Sequence, residues 1–118
     1  MSLIDSDVLI GLLDVAGKNH EVIANNLANI DTPGYRTMRL RFAEQLQRLV
    51  DRNGRLRPGA QIQAEMFRPL FPDVGPDGND VSLEREMVQL NKNSLQTQLY
   101  LSVLGSRIRR LRSAIQGR

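Results

Sequence analysis

The chain has 118 residues, of which 25% are charged and 4% aromatic, and it contains no cysteine and one histidine. One domain is expected at this length, and the missing cysteines exclude disulfides, thiolate metal sites and a cysteine nucleophile. A single histidine cannot build a histidine-rich metal site. No apolar segment near the start approaches the roughly 20 residues that span a bilayer, and no cationic segment precedes it. We therefore expect no cofactor, no metal, no direct membrane insertion and no cleaved signal.

Charge is distributed unevenly along the chain. Residues 1–35 carry one lysine and five acidic residues, whereas residues 36–68 carry eight arginines and three acidic residues. An acidic end and a basic middle suit contact between copies of the chain. A solvated surface is the commoner meaning of such runs.

The first predicted element is a helix over residues 3–31. Apolar side chains recur on one face at helical spacing, interrupted by Asn19 and His20. The residue before a proline is disfavoured in the α region, so Pro33 places the helix end near Ile30 to Thr32. The predicted face consists of Leu9, Leu12, Ala16, Ile23, Leu27 and Ile30, with Val8, Val15 and Val22 beside it.

The middle of the chain, residues 36–80, is predicted to be mainly irregular. Apolar spacing favours a short amphipathic helix from Phe42 to Val50, and alternation favours a short strand from Ile62 to Met66. Five prolines and glycines between residues 68 and 80 exclude a regular element there.

The clearest pattern predicts a helix over residues 82–116. Ser82 suits an N-cap, and Glu84 and Glu86 oppose the helix dipole in the first turn. Apolar or small residues alternate at steps of four and three, as in a coiled coil, and we call them the heptad stripe: Leu83, Met87, Leu90, Ser94, Thr97, Leu101, Leu104, Ile108, Leu111 and Ile115. A second apolar stripe follows Val88, Leu95, Leu99 and Val103.

These elements predict a mostly α protein in which two long terminal helices pair antiparallel in a coiled-coil-like arrangement. A largely irregular middle segment with one short helix and a short strand joins them. We divide this single domain into residues 1–35 (helix and turn), 36–80 (connection) and 81–118 (C-terminal helix). Two helices paired only with each other leave apolar surface uncovered, so we expect copies of the same chain to cover it.

The stretch from Ala24 to Tyr35 carries an unusual pattern. Three asparagines, Asn25, Asn26 and Asn29, fall within five residues of a predicted helix, where asparagine is unfavourable. Pro33 and Gly34 suit the centre of a type II turn. An ordinary helix end explains the turn but not the asparagines, which we interpret as hydrogen-bonding groups for a neighbouring subunit. The facing helix also offers amides as partners, at Gln89, Asn91, Asn93, Gln96 and Gln98.

Residues 24–35 resemble the N-terminal signature of the flagellar basal-body rod and hook proteins, which is similar to Ala-Asn-Asn-(Leu/Ile)-Ala-Asn-x-x-Thr-Pro-Gly-(Tyr/Phe). Residues 78–87 and 93–96 are similar to the C-terminal region of rod members. The 45-residue connection is too short for the inserted domains of distal rod and hook members, so the likeness is strongest to a proximal rod protein. One departure is visible: Arg39 and Arg41 precede Phe42, where relatives often have acidic residues.

The resemblance implies a structural subunit of the bacterial flagellar basal-body rod, exported by the flagellar type III apparatus without a cleaved signal. It implies self-assembly with other rod proteins, through the terminal helices, into the drive shaft that transmits torque. At the rod base it implies contact with the export gate, the rod-base adaptor or the inner-membrane ring. The predicted assembly interface consists of Asn25, Asn26, Asn29, Thr32, Pro33, Gly34, Tyr35, Met87, Leu90, Leu101, Leu104, Ile108 and Leu111.

Two other classes of function, catalysis and nucleic-acid binding, have less support in the sequence. Catalysis has little to use, because His20 has no second histidine and Glu84 and Glu86 lie on different helix faces at this spacing, so we expect no enzyme and a core or interface role for His20. The alternative hypothesis is a small basic nucleic-acid-binding helical protein, since arginines cluster at 36–57 and 107–112. The few aromatics and the missing recognition motif argue against nucleic acid as a partner.

Overall fold

The computed structural model describes residues 6–42 and 48–117. Helix α1 spans Ser6–Ala28 and helix α2 spans Leu83–Gln116, and the two strands, β1 (Arg39–Arg41) and β2 (Glu65–Phe67), pair antiparallel with Leu40 opposite Met66. The molecule is elongated, 64 × 28 × 17 Å. The mostly α architecture with two long terminal helices is thus confirmed.

The two helices run antiparallel, as three contacts along their length establish. Arg107 of α2 donates a hydrogen bond to the Ser6 hydroxyl (3.0 Å). The Asn93 amide donates to the Ala16 carbonyl (3.0 Å), and the Asn26 amide donates to Glu86 (2.5 Å). Residue numbers therefore rise along α1 as they fall along α2.

The predicted apolar face of α1 forms the core. The hydrophobic side chains buried on α1 are Val8, Leu9, Leu12, Val15, Ala16 and Ile23. Asn19, which interrupted this face in the sequence, donates to Asn93 of α2 at 2.9 Å. The interruption is therefore matched by an amide on the facing helix, which satisfies both polar groups.

The face that α2 packs on α1 is not the heptad stripe. Its two fully buried residues are the polar Glu86 and Asn93, and only Leu90, Thr97 and Leu104 of the stripe are half-buried on this side. The rest of its large apolar members are exposed, from 42% at Met87 to 77% at Ile115. The stripe therefore shares only part of its residues with the contact on α1, because that contact is held partly by hydrogen-bonded polar residues.

Segment boundaries differ from the predicted ones at three places. Helix α1 ends at Ala28, before the expected Ile30 to Thr32, and tighter three-residue bonds follow, such as Ile30 N–H to the Leu27 carbonyl (3.3 Å). Strand β2 begins at Glu65, whereas the predicted strand began at Ile62. Pairing with β1 sets the limits of the strand, and the alternation of apolar and polar residues does not. The helix expected from Phe42 to Val50 falls largely on residues 43–47, outside the described residues.

The connection packs against α1 at Gly11, which has no side chain and so leaves space for Ile62. A Cβ at Gly11 would lie 2.5 Å from Ile62 Cδ1, so no larger residue fits without displacing Ile62. Residues 68–80 contain no helix or strand, as predicted. Within the described ranges, neither helix is long and apolar enough to cross a bilayer.

Candidate functional site

The end of α1 turns sharply at Pro33 and Gly34. Gly34 has φ +74°, the left-handed value that the third position of a type II turn requires, and the Tyr35 N–H donates to the Thr32 carbonyl (3.2 Å). The Gly34 N–H donates to the Asp77 carbonyl at 2.9 Å. The turn is therefore attached directly to the segment that leads into α2.

Asn25, in the last turn of α1, and Asn29, just after the helix, form hydrogen bonds around this turn within the same chain. The Asn29 amide donates to the Asn25 carbonyl (2.8 Å) and its oxygen accepts from the Thr32 hydroxyl (3.0 Å). The Asn25 amide donates to the Tyr35 hydroxyl at 3.0 Å. These bonds satisfy backbone and side-chain groups that the end of a helix leaves open.

Asn26 is fully buried, and its amide is the centre of the site. Its oxygen accepts from the Tyr35 hydroxyl (2.9 Å) and the Met38 N–H (3.0 Å). Its nitrogen donates to the Met38 carbonyl (2.9 Å) and to Glu86 (2.5 Å). One helical asparagine thus joins the turn, the residue before β1 and α2, which accounts for an otherwise unfavourable residue.

Glu86 and Arg39 form a buried ion pair beside Asn26. The guanidinium donates to both carboxylate oxygens, at 2.8 and 2.5 Å, and the side chains of Glu86 and Arg39 are 0% and 13% exposed. A buried carboxylate is tolerated only when its charge and lone pairs are matched, as they are here. We call Asn26, Tyr35, Arg39 and Glu86 the buried polar cluster.

A second carboxylate fixes the segment after the turn. Buried Asp80 accepts from the Thr37 N–H (2.6 Å), the Thr37 hydroxyl (2.8 Å) and Arg36 (3.1 Å). Burial by itself raises the pKa of Asp80, but the Thr37 hydrogen bonds and the Arg36 charge outweigh it and hold the pKa below the ordinary value. The carboxylate therefore stays ionised to a lower pH than an ordinary aspartate.

The start of α2 is anchored to the end of α1 by further bonds. The Asn79 amide donates to the Asn29 and Thr32 carbonyls, at 2.9 and 2.8 Å. Ser82 caps α2 as predicted, accepting from the Arg85 N–H at 3.3 Å. The described geometry is thus a hydrogen-bonded joint between the end of α1 and the start of α2.

The predicted interface residues occupy two separated regions. Near the joint, Asn25, Thr32, Pro33 and Gly34 are exposed and Asn29 and Tyr35 half-buried. On α2, Met87, Leu101, Ile108 and Leu111 are exposed and Leu90 and Leu104 half-buried. The stripe extends to the opposite end of the molecule, where Arg107 meets Ser6.

Two of the sequence interpretations can be compared with the geometry. The Asn26 side chain has no exposed surface in the single chain and makes its hydrogen bonds within it, one of them to the facing helix. His20 is exposed beside the groove between the helices, so it is not a core residue, and its interface role stays a prediction. For every residue of the predicted assembly interface, Asn26 included, the assignment stays a prediction.

Sequence reasoning missed Arg39 as a site residue and assigned Glu86 only to the helix dipole. Position 86 does continue the line of Leu90, Asn93 and Thr97 at steps of four and three, as a core position would. A charged residue at such a position was the available signal. No feature of the sequence indicated that Arg39, 47 residues away, is the partner of Glu86.

Replacing Gly34 by valine is expected to destabilise the chain by about 1–2 kcal/mol, because a Cβ is unfavourable at positive φ. No atom lies within 4 Å of that Cβ, so the effect would come from the backbone alone. Gly34→Asn is the matched control and should lose less, since asparagine tolerates this region. Urea unfolding followed by circular dichroism measures both, and equal stability of the valine and asparagine variants would contradict the expectation.

The long paired helices and the asparagine-rich joint agree with the resemblance to flagellar rod proteins. Residues 18–36, which contain the end of α1 and the turn, match the family model described as flagella basal body rod protein. The chain is 32% identical over 116 residues to the flagellar basal body rod protein FlgB of Aeromonas hydrophila, covering 89% of this chain and 87% of the relative. It is 33% identical over 121 residues to FlgB of Escherichia coli strain K12, covering 88% and 87%. The chain belongs to the FlgB family of flagellar basal body rod proteins.

Proposed function

We propose that the chain is a structural subunit of the bacterial flagellar basal-body rod. It assembles through its terminal helices, with copies of itself and with other rod proteins, into the shaft that transmits torque. Its family consists of structural rod components and is not an enzyme family. Membership of that family and the shape of the molecule support the proposal.

The uncovered apolar surface of α2 is the observation that carries the assembly step. Leu101, Ile108 and Leu111 of the heptad stripe are 52%, 50% and 62% exposed, and Leu95 and Leu99 of the second stripe are 67% and 60% exposed. One helix partner cannot cover several faces of a helix, and an apolar surface of this extent marks a protein contact. Neighbouring subunits would bury both stripes.

The joint between the helices supports the same function. It fixes the register of α2 on α1 through the buried polar cluster, so the exposed stripes keep one geometry in every copy. A filament requires this, because the same heterologous contact must repeat without closing.

Export and the contacts at the rod base extend the proposal. We propose that the flagellar type III apparatus exports the chain without a cleaved signal to the basal-body rod. There the chain contacts the export gate, the rod-base adaptor or the inner-membrane ring. The resemblance to proximal rod proteins supports these steps.

Three arginines of the 36–57 cluster, which raised nucleic-acid binding as an alternative, are engaged within the chain. Arg36 is bonded to Asp80, and Arg39 is occupied by Glu86. Arg41 lies over the Phe67 ring, 3.9 Å from its centroid. Guanidinium groups held in this way are less available to phosphates than a free basic patch would be.

Deleting the gene and restoring it with a tagged copy tests the proposed function. We expect the deletion strain to be non-motile and to lack rods in electron micrographs, and the tagged chain to co-purify with restored basal bodies. A strain that lacks the chain and still builds complete rods would overturn the proposal. Tight, salt-dependent DNA binding by the purified chain would instead favour the alternative class.

A further inference from the structure

We propose that the groove between the connection and the first turns of α2 receives Leu70 of a second copy of this chain. The proposal rests on the subunit role proposed above and names one contact by which copies join. It is independent of the heptad stripe, which lies on a different set of residues.

The groove is apolar and its walls are held in place. It measures about 490 Å³ and is lined by Pro69 and Phe71 from the connection and by Arg85 and Val88 from α2. Arg85 stacks on the Phe71 ring, 3.8 Å from its centroid, and donates to Asp73 at 2.7 Å. These contacts keep the groove open in the single chain, where Val88 remains 62% exposed.

The same segment carries the side chain that would fill the groove. Leu70 lies between two groove residues, Pro69 and Phe71, yet it does not line the groove and is 90% exposed. An extended segment points alternate side chains to opposite sides. One face of the segment thus offers a cavity, and the other offers an apolar side chain that fits it.

Charge around the two surfaces is complementary. Arg68 flanks Leu70 and is exposed, and its guanidinium donates to the Arg36 carbonyl (2.5 Å). Glu84 lies on the groove and accepts from the Ser82 hydroxyl (3.1 Å). Among residues 6–42 and 48–117, no opposite charge lies within ion-pair distance of either Arg68 or Glu84. Docking Leu70 into a second copy would bring these two charges together.

The contact is heterologous, because the cavity of one copy takes the leucine of the next. Such an interface repeats along an array instead of closing into a two-fold dimer. A contact that repeats between identical chains is what a rod requires. A contact with an unrelated partner would not repeat in this way.

Cysteine cross-linking in isolated basal bodies tests the contact, since the chain has no cysteine of its own. Two singly substituted chains, Leu70→Cys and Val88→Cys, are expressed together and oxidised in the assembled rod. We expect a disulfide-linked dimer when both are present and none with either alone. Gln61→Cys with Val88→Cys is the matched control, because Gln61 is exposed elsewhere on the connection, and it should give no dimer.

Charge reversal adds an independent measurement. Arg68→Glu in the Leu70→Cys chain should lower the dimer yield at least several-fold, and Glu84→Arg in the Val88→Cys chain should restore it. Basal bodies that contain both chains without the dimer would overturn the proposal, as would cross-linking only to a different rod protein. Absence of the unsubstituted chain from basal bodies would overturn the subunit role and this contact with it.

Discussion

Replacing Arg39 by alanine is expected to lower the free energy of unfolding by about 3–5 kcal/mol, because it leaves the Glu86 carboxylate buried and unpaired. Glu86 would keep only the Asn26 amide as a partner from the buried polar cluster. A single amide does not compensate a full negative charge away from water. Urea unfolding followed by circular dichroism at neutral pH measures the loss.

Two control variants make this test specific. Arg41→Ala removes an exposed pair with Glu65 (3.9 Å) and the contact with the Phe67 ring, and it should cost about 1–2 kcal/mol. Arg39→Met with Glu86→Leu removes both charges and should cost less than Arg39→Ala alone, because no unpaired charge remains. The buried pair would have no special role if Arg39→Ala were no more harmful than Arg41→Ala.

Replacing Ile108 by aspartate is expected to abolish rod assembly while leaving the isolated chain as stable as before. Ile108 is 50% exposed in the single chain, so a charge there stays in water and should change stability by no more than about 0.5 kcal/mol. In the rod the same charge would be buried without a partner, at a cost of several kcal/mol that recurs in every copy. Swarming on soft agar and recovery of basal bodies measure assembly, and urea unfolding measures stability.

A matched variant separates charge from position. Asn91→Asp makes the same change in charge on an exposed position of α2 that belongs to neither stripe, and it should leave motility intact. Leu104→Asp is less informative, because Leu104 is half-buried in the single chain and both readouts would change. Normal motility of the Ile108→Asp strain would show that the stripe is not an assembly surface.

Local features of this protein could be predicted from its residues alone. The Ser82 cap of α2 and the positive φ of Gly34 depend on a few neighbouring residues, and both are confirmed. The resemblance of residues 24–35 to a family signature is equally local, and the relatives confirm the family. The apolar face of α1 also followed from spacing, because nearly all of its buried residues are hydrophobic.

The role of the asparagines could be recognised but not assigned. Their cost in a helix indicates that hydrogen bonds stabilise them, yet it does not say where the partners lie. The Asn26 amide donates hydrogen bonds to Met38, 12 residues away in sequence, and to Glu86, 60 residues away. A neighbouring subunit and the facing helix both stayed possible as the source of partners, because no feature of the sequence connects Asn26 to Glu86.

By itself, the sequence determined the helices, the turn and the family of this protein, since each depends on short-range spacing or on contiguous residues. Only the tertiary structure decided which face of α2 meets α1. That face is held by Glu86 and Asn93, whose partners lie 47 to 77 residues away along the chain. Hydrophobic periodicity does not record polar residues that become buried only when a distant partner satisfies them, so it could not show which part of the heptad stripe stays exposed.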